Sequence, residues 1–203
     1  MTDSKIAAAY DSRAAEYIAL VGDIDQMEAP DVELIRSWRD STPGPLLDAG
    51  CGPGLWTAFL NDGSHDVAGI DLSPEFVQAA RLRHPGIDFQ VASSRELPFE
   101  DASFGGILAW YSLIHTPPED LPAILAELAR VLVPGGSILI GFFDGEPREP
   151  FAHAVTTAYF WSAEALAALL ADGGFAVVAS ERRNRLSGAP SVRPHGAITA
   201  TRC

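Results

Sequence analysis

Two aspartates and three glycines carry the most readable chemistry in this chain. Asp48 follows the apolar pair Leu46-Leu47, and Gly50, Gly52 and Gly54 come next at alternate positions around Cys51 and Pro53. Asp71 closes a second run, Asp66 to Ile70. Glycine has no Cβ, so such a loop takes positive φ and lets a ligand come close to the backbone. In open α/β sheets, ligands settle at the carboxyl ends of the strands, where turns of this kind lie. A dinucleotide loop has the spacing Gly-x-Gly-x-x-Gly, with the pyrophosphate on the following helix. Here the third glycine comes one residue early and Leu55 holds its place. Asp48, two residues ahead of Gly50, would also repel a pyrophosphate and favour a cation. Asp71 is placed to accept hydrogen bonds from ribose hydroxyls with either kind of ligand.

S-Adenosylmethionine meets these terms, since it has no phosphate and carries a sulfonium and an ammonium. Further candidates lie downstream. Trp110-Tyr111 end a strand and face the ligand crevice; Phe142 and Phe143 end another beside it, and Phe151, Tyr159, Phe160 and Trp161 follow. Part of this aromatic set fills the core, and the rest walls a pocket for an apolar or planar acceptor. His115 has two readings: a general base for an acceptor hydroxyl or amine, or a histidine bonded to backbone near Thr116. His153, after the fifth strand, is a second histidine of this kind. His84 precedes Pro85 at a helix end, where interaction with the helix dipole accounts for it. Tyr10, Arg13 and Tyr17 form either a lid, with Arg13 pairing a ligand carboxylate, or a packing patch. No cluster of metal ligands is evident, and no metal is expected.

These residues need elements to hold them. Ile6, Tyr10, Ala14 and Tyr17 share one face of a helix. Pro30-Asp31 open a second helix carrying Leu34, Ile35 and Trp38, and Pro43-Gly44-Pro45 stops it. From Leu46 the pattern alternates. A strand at 46–49 leads to a helix at 55–61, and a strand at 66–70 to a helix capped by Ser73-Pro74 and running to Arg83. A strand at 87–91 and a loop at 92–103 precede a fourth strand at 104–110. Thr116-Pro117-Pro118-Glu119 has the spacing of a capping box. It predicts a helix burying Leu121, Ile124, Leu125, Leu128 and Leu132, closed by Pro134-Gly135-Gly136. A fifth strand follows at 137–143. Ser162 caps another helix, with Trp161 and Leu166 as a hydrophobic staple, ended by Asp172-Gly173-Gly174. Strands at 175–180 and 197–201 have no helix between them and predict an antiparallel pair.

Alternation of this kind predicts an α/β domain, a mainly parallel seven-stranded sheet with helices on both faces. The first 43 residues form a helical cap, and 44–203 form the binding core of the same domain. The formal net charge of −13 over 203 residues argues against nucleic acid or anionic membranes as partners. Two cysteines, Cys51 and Cys203, give no disulfide framework. Neither a signal peptide nor an apolar run of membrane-spanning length is present, and a cytoplasmic location is expected.

Asp48-Ala49-Gly50-Cys51-Gly52-Pro53-Gly54 resembles motif I of the class I S-adenosylmethionine-dependent methyltransferases. Gly69-Ile70-Asp71-Leu72-Ser73 is similar to their ribose-binding segment. Leu97-Pro98-Phe99, Ser103-Phe104 and Leu132-Val133-Pro134-Gly135-Gly136-Ser137 resemble later motifs of the small-molecule branch, and Tyr10-Asp11 with Ala14 and Tyr17 its N-terminal helix. The resemblance implies a Rossmann-like sheet of order 3-2-1-4-5-7-6 with the last strand antiparallel. It also implies S-adenosylmethionine as cofactor, held by Asp48, Gly50, Cys51, Gly52, Gly54, Asp71 and Leu72, with Trp110 beside it and Tyr10, Arg13 and Tyr17 above. Two positions depart from the family. Its adenine-contacting aspartate after the third strand is Ser93 here, with Ser94 next to it, and an aspartate after Ser-Phe is Gly105. The latter change is expected to be one of local structure. The activity implied is in-line methyl transfer to a small-molecule acceptor by a monomer or homodimer, with His115 as the candidate base. An oxidoreductase using a nicotinamide dinucleotide and a non-catalytic module of the same fold stay open as alternatives.

Overall fold

Leu46 and Leu47 point to opposite sides of one strand, and that alternation organises the whole sheet. In a strand covered on both faces, successive residues bury themselves in different layers. The computed structural model describes residues 2–20, 23–183 and 193–203. Within it, Leu47, Ile107, Ile138, Ile140 and Ile198 pack on one side against the helices α6 (Leu121–Val131) and α7 (Ala163–Asp172). Leu46, Leu108, Leu139 and Ala197 pack on the other against α3 (Ala29–Ser41) and α4 (Leu55–Leu60). Each fully buried aliphatic side chain contributes roughly 1.5–3 kcal/mol of transfer free energy.

The sheet comprises β1 (Leu46–Ala49), β2 (Val67–Asp71), β3 (Asp88–Val91), β4 (Phe104–Trp110), β5 (Leu132–Phe143), β8 (Phe175–Arg183) and β9 (His195–Arg202). The order is β3-β2-β1-β4-β5-β9-β8, with β9 antiparallel to both neighbours and the other pairs parallel. A hairpin of β6 (Pro150–Ala152) and β7 (Thr157–Tyr159) stands apart. Without the hairpin, the strand order is the expected 3-2-1-4-5-7-6. Among the described residues, no helix is long and apolar enough to cross a membrane.

Several boundaries differ from expectation, each for a physical reason. The N-terminal helix breaks at Ser12-Arg13 into α1 (Asp3–Asp11) and α2 (Ala14–Leu20). Ile6 and Ala14 are buried, Tyr17 is 37% exposed, and the Tyr10 and Tyr17 rings meet edge-on at 6.2 Å across the break. The capping box does not open a helix. Thr116 to Asp120 form turns, and α6 starts at Leu121 with Pro122 in its first turn. Leu132 lies on β5 rather than on the helix, paired with Phe104, and β5 runs through Pro134-Gly135-Gly136 with a register shift opposite Phe104 and Gly106. The short hairpin had no alternating pattern to announce it. Ser73 and Ser162 do cap α5 (Pro74–Arg83) and α7, accepting from Phe76 N and Ala165 N. Trp161 and Leu166 are both buried, as a staple requires.

Gly105 is structural. A Cβ there would lie 1.8 Å from the Pro43 carbonyl oxygen, and its N–H donates to Pro45 O at 2.8 Å. The Trp38 indole donates to Ser137 Oγ at 2.9 Å and pins α3 to β5.

Candidate functional site

The carboxyl ends of β1, β2, β3 and β4 surround a cavity of about 380 Å3, which lies within the usual range for a small-molecule site. Its floor is the glycine loop. Gly50 N and Cys51 N both donate to Ile70 O at 2.8 Å, folding the loop onto the end of β2. Gly50 takes φ +91°, and a Cβ there would meet Ser112 Cβ at 2.1 Å, so a bare Cα lets the loops after β1 and β4 touch. Ser112 Oγ is buried with no hydrogen-bond partner.

Asp71 is the anchor. Its Oδ2 accepts from Gly52 N at 2.9 Å and its Oδ1 from Ser73 N at 2.8 Å. Burial nevertheless pushes its carboxyl up to about 6, with these backbone donors opposing the shift. A carboxylate oxygen accepts more than one donor, so Asp71 keeps capacity toward the cavity it borders.

Asp48 does not line the cavity. It lies under the loop, 1% exposed, accepting from Thr57 Oγ1 at 2.7 Å. Burial raises its carboxyl to about 7. In this position Asp48 ties β1 to α4 from beneath the loop. Gly54 is likewise removed from the cavity wall. It takes φ +90° at the start of α4, where a Cβ would press on Ala80 and Phe89 at 3.0 Å.

Gly50, Cys51, Gly52, Leu72, Ser93, Ser94, Trp110, Tyr10 and Tyr17 all border the cavity. Arg13 does not. It pairs with Glu16 at 2.8 Å and donates to the Ala154 carbonyl. Helix α1 crosses the open side and reaches three strand ends. Asp11 accepts from Ser73 Oγ after β2, and Asp3 accepts from Ser93 Oγ and from Arg95 Nε at 2.9 Å after β3. Tyr10 Oη lies 2.8 Å from His115 Nε2 after β4.

The His115 tautomer follows from its partners. Nδ1 is 2.8 Å from the Thr157 carbonyl, which only accepts, so Nδ1 carries the proton and donates it. Nε2 then accepts from the Tyr10 hydroxyl. Burial holds the His115 imidazolium below its ordinary range and lifts the Tyr10 phenol well above its own. Both groups are neutral at neutral pH and form a chain from the cavity to the β7 backbone.

The far wall is made of rings. Phe143 lies 5.2 Å from Tyr111, 5.2 Å from His195, 5.3 Å from Phe151 and 5.8 Å from His153. Tyr111, held at φ +55°, bonds through its hydroxyl to His195 Nδ1. His153 Nδ1 is buried without a partner, and burial, with His115 as the next cause, lowers its imidazolium to about 4. His84 lies elsewhere. It caps the carboxyl end of α5 with its ring 6.4 Å from Phe89, and burial, then Arg83, lowers its affinity for a proton.

The polar cavity residues that sequence reasoning missed include Arg95 and Ser112 as well as Asp3, Asp31 and His195. Asp3 and His195 carried no local pattern, and Asp31, read as a helix start, borders the cavity with its carboxylate 2.6 Å from the Arg183 guanidinium.

Residues 46–136 match the family described as a methyltransferase domain. A malonyl-acyl-carrier-protein O-methyltransferase of Serratia marcescens is 34% identical over 137 residues, 67% of this chain and 49% of that protein. The chain spans about half the length of the curated relatives it matches. Among solved structures, a 1,6-didemethyltoxoflavin-N1-methyltransferase of Burkholderia thailandensis, with its acceptor and S-adenosylhomocysteine bound, is 26% identical with a TM-score of 0.76. That match covers 100% of this chain and 91% of the other. Magnesium protoporphyrin IX methyltransferase of Synechocystis PCC 6803, with SAM bound, shares the fold at 19% identity and a TM-score of 0.76, over 100% of this chain and 98% of that one.

Proposed function

We propose that this chain, whose residues 46–136 match the methyltransferase-domain family, is a class I enzyme that transfers the methyl group of S-adenosylmethionine to a small-molecule nucleophile. The observation that carries the reading is the Asp71 carboxylate, clamped by Gly52 N–H and Ser73 N–H at the edge of a cavity at the strand ends. The cavity fits the cofactor in two further respects. A Cβ at Gly52 would meet nothing within 4 Å, so the loop backbone is open to a ligand, and Ser112 Oγ is a buried group still wanting a partner.

When bound, the cofactor supplies a methyl group already activated by its sulfonium, which an aligned nucleophile takes in line. The protein's share is then position and exclusion of water. Asp71 accepts the ribose hydroxyls, Gly50, Cys51, Gly52 and Leu72 approach through backbone and small side chains, and Trp110 walls the cavity. Tyr10 and Tyr17 cover it, as part of a cap formed by residues 1–43 on the core at 44–203. The acceptor lies against Tyr111, Phe143, His153 and His195, rings that suit an apolar or planar molecule. Its proton passes to the Tyr10 oxygen while the Tyr10 proton passes to His115 Nε2, with Thr157 O steadying the imidazolium through Nδ1.

Calorimetry with S-adenosylmethionine, S-adenosylhomocysteine and a nicotinamide dinucleotide tests the cofactor: binding of the dinucleotide alone would overturn the reading. A screen of small metabolites for S-adenosylhomocysteine release then identifies the acceptor. With that acceptor, Tyr10→Phe and His115→Ala are each expected to lower kcat by about 10²-fold or more, with cofactor affinity changed less than that. Unchanged turnover in both would remove the base.

A further inference from the structure

β3 is the edge strand of the sheet, and its carboxyl end carries no acidic side chain of its own between Ala92 and Arg95. The cavity runs from Asp71, at the end of β2, to Ala92, Ser93, Ser94 and Arg95 at that end, so a nucleoside with its ribose at Asp71 has room for its base there. Adenine presents a 6-amino group there, a donor that needs a fixed acceptor. Ser93 does not supply one freely. Its hydroxyl proton is given to Asp3 Oδ2, and its oxygen already accepts from Arg95 N at 3.0 Å. The acceptor with capacity left is Asp3 itself. Its carboxylate borders the cavity, is partly exposed, and is held from two sides, by Ser93 Oγ and by Arg95 Nε at 2.9 Å. Arg95 is fixed in turn by Asp120 Oδ2 at 2.9 Å. A carboxylate has about four acceptor positions, of which these contacts take two.

We propose that the Asp3 carboxylate, brought by α1 to the end of β3, accepts a hydrogen bond from the 6-amino group of the cofactor's adenine. The inference rests on the reading of this cavity as the S-adenosylmethionine site. It makes the N-terminal helix a specificity element for the base as well as a cover. Asp3 and Tyr10 sit seven residues apart on α1, so base recognition and the Tyr10–His115 contact ride on one rigid element.

The test compares S-adenosylhomocysteine with S-inosylhomocysteine, whose base carries a carbonyl oxygen in place of the amino group. Dissociation constants are measured on the parent, Asp3→Ala and Asp3→Asn, with thermal melts to establish folding. The parent is expected to prefer the adenosyl compound by about tenfold or more, because a carboxylate facing the inosyl oxygen leaves both unpaired. Asp3→Ala should shrink that preference to about threefold or less, chiefly by weakening adenosyl binding. Asp3→Asn, which offers an N–H2 group to the inosyl oxygen, should narrow it by raising inosyl affinity. Equal losses for both ligands in Asp3→Ala would make Asp3 a tether only and overturn the inference, as would no change for either. A parent protein that binds neither ligand would overturn the cofactor reading itself, and this inference with it.

Discussion

The two halves of the cavity are built by different means. The half at the ends of β1 and β2 is held by backbone. Gly50 N, Cys51 N, Gly52 N and Ser73 N all donate inward, to Ile70 O or to the Asp71 carboxylate, within a stretch of 24 residues from Gly50 to Ser73. The half beyond β4 is held by ring contacts among Tyr111, Phe143, Phe151, His153 and His195, which span 85 residues from first to last. The backbone bonds fix the loop that lines the cavity and tolerate little change. Packed rings with a buried unpartnered nitrogen, such as His153 Nδ1, set shape and leave a bond unmade. The first half suits a ligand that never varies, the second one that can be exchanged without moving the first.

The contrast can be broken most severely at Gly50. Gly50→Ala forces a Cβ to within 2.1 Å of Ser112 Cβ at a φ of +91°, and a loss of about 2–4 kcal/mol in stability is expected by chemical denaturation. Gly52→Ala sharpens the point: its Cβ meets no protein atom and only the left-handed φ of +53° opposes it, so it should cost about 1–2 kcal/mol in folding yet weaken cofactor binding. Equal damage at both positions would show that the loop is merely tight and not shaped for a ligand.

Asp71→Ala comes next. It removes the acceptor for two backbone N–H groups and, in the function proposed, for the ribose, and S-adenosylhomocysteine affinity should fall by about 100-fold in calorimetry. A smaller effect belongs to Asp48, which serves the fold. Burial raises its carboxyl from an ordinary value of 3.8 to about 7, so between roughly pH 4 and 7 the folded protein holds a proton that the unfolded chain has lost. Its contribution to stability is therefore present at low pH and fades as pH rises toward 7. Asp48→Asn removes that dependence, and its Tm relative to the parent should rise by about 3–6 °C between pH 5 and 8. A constant difference across that range would show that the charged carboxylate is not penalised. Least of all, His153→Phe in the ring half should leave S-adenosylhomocysteine affinity within about threefold, while changing which acceptors are turned over.

The same contrast explains what could be read in advance. The glycine spacing, Asp71 and the Ser73 cap are local signals, and each lies where spacing and propensity put it. The sheet order followed from alternating strands and helices, and from a final pair with no helix between. Asp48 lies on the Thr57 side of the loop, and a carboxylate next to a glycine loop looks the same in sequence whether it faces a ligand or Thr57. Which side it takes depends on the alternation of Leu46, Leu47 and Asp48 across the sheet. The capping-box spacing from Thr116 to Glu119 was matched, yet the chain stays in turns through Asp120 and the helix waits for Leu121. Asp3 and His195 enter the cavity through tertiary packing that no local pattern encodes.

Helix α1 has a practical consequence for anyone handling this protein. Its residues Asp3, Tyr10 and Asp11 each close a contact at a different strand end. An affinity tag, a protease-site remnant or a trimmed start placed there is thus an alteration of the cavity itself. Preparations differing only in those first dozen residues should be treated as different proteins when their ligand binding is compared.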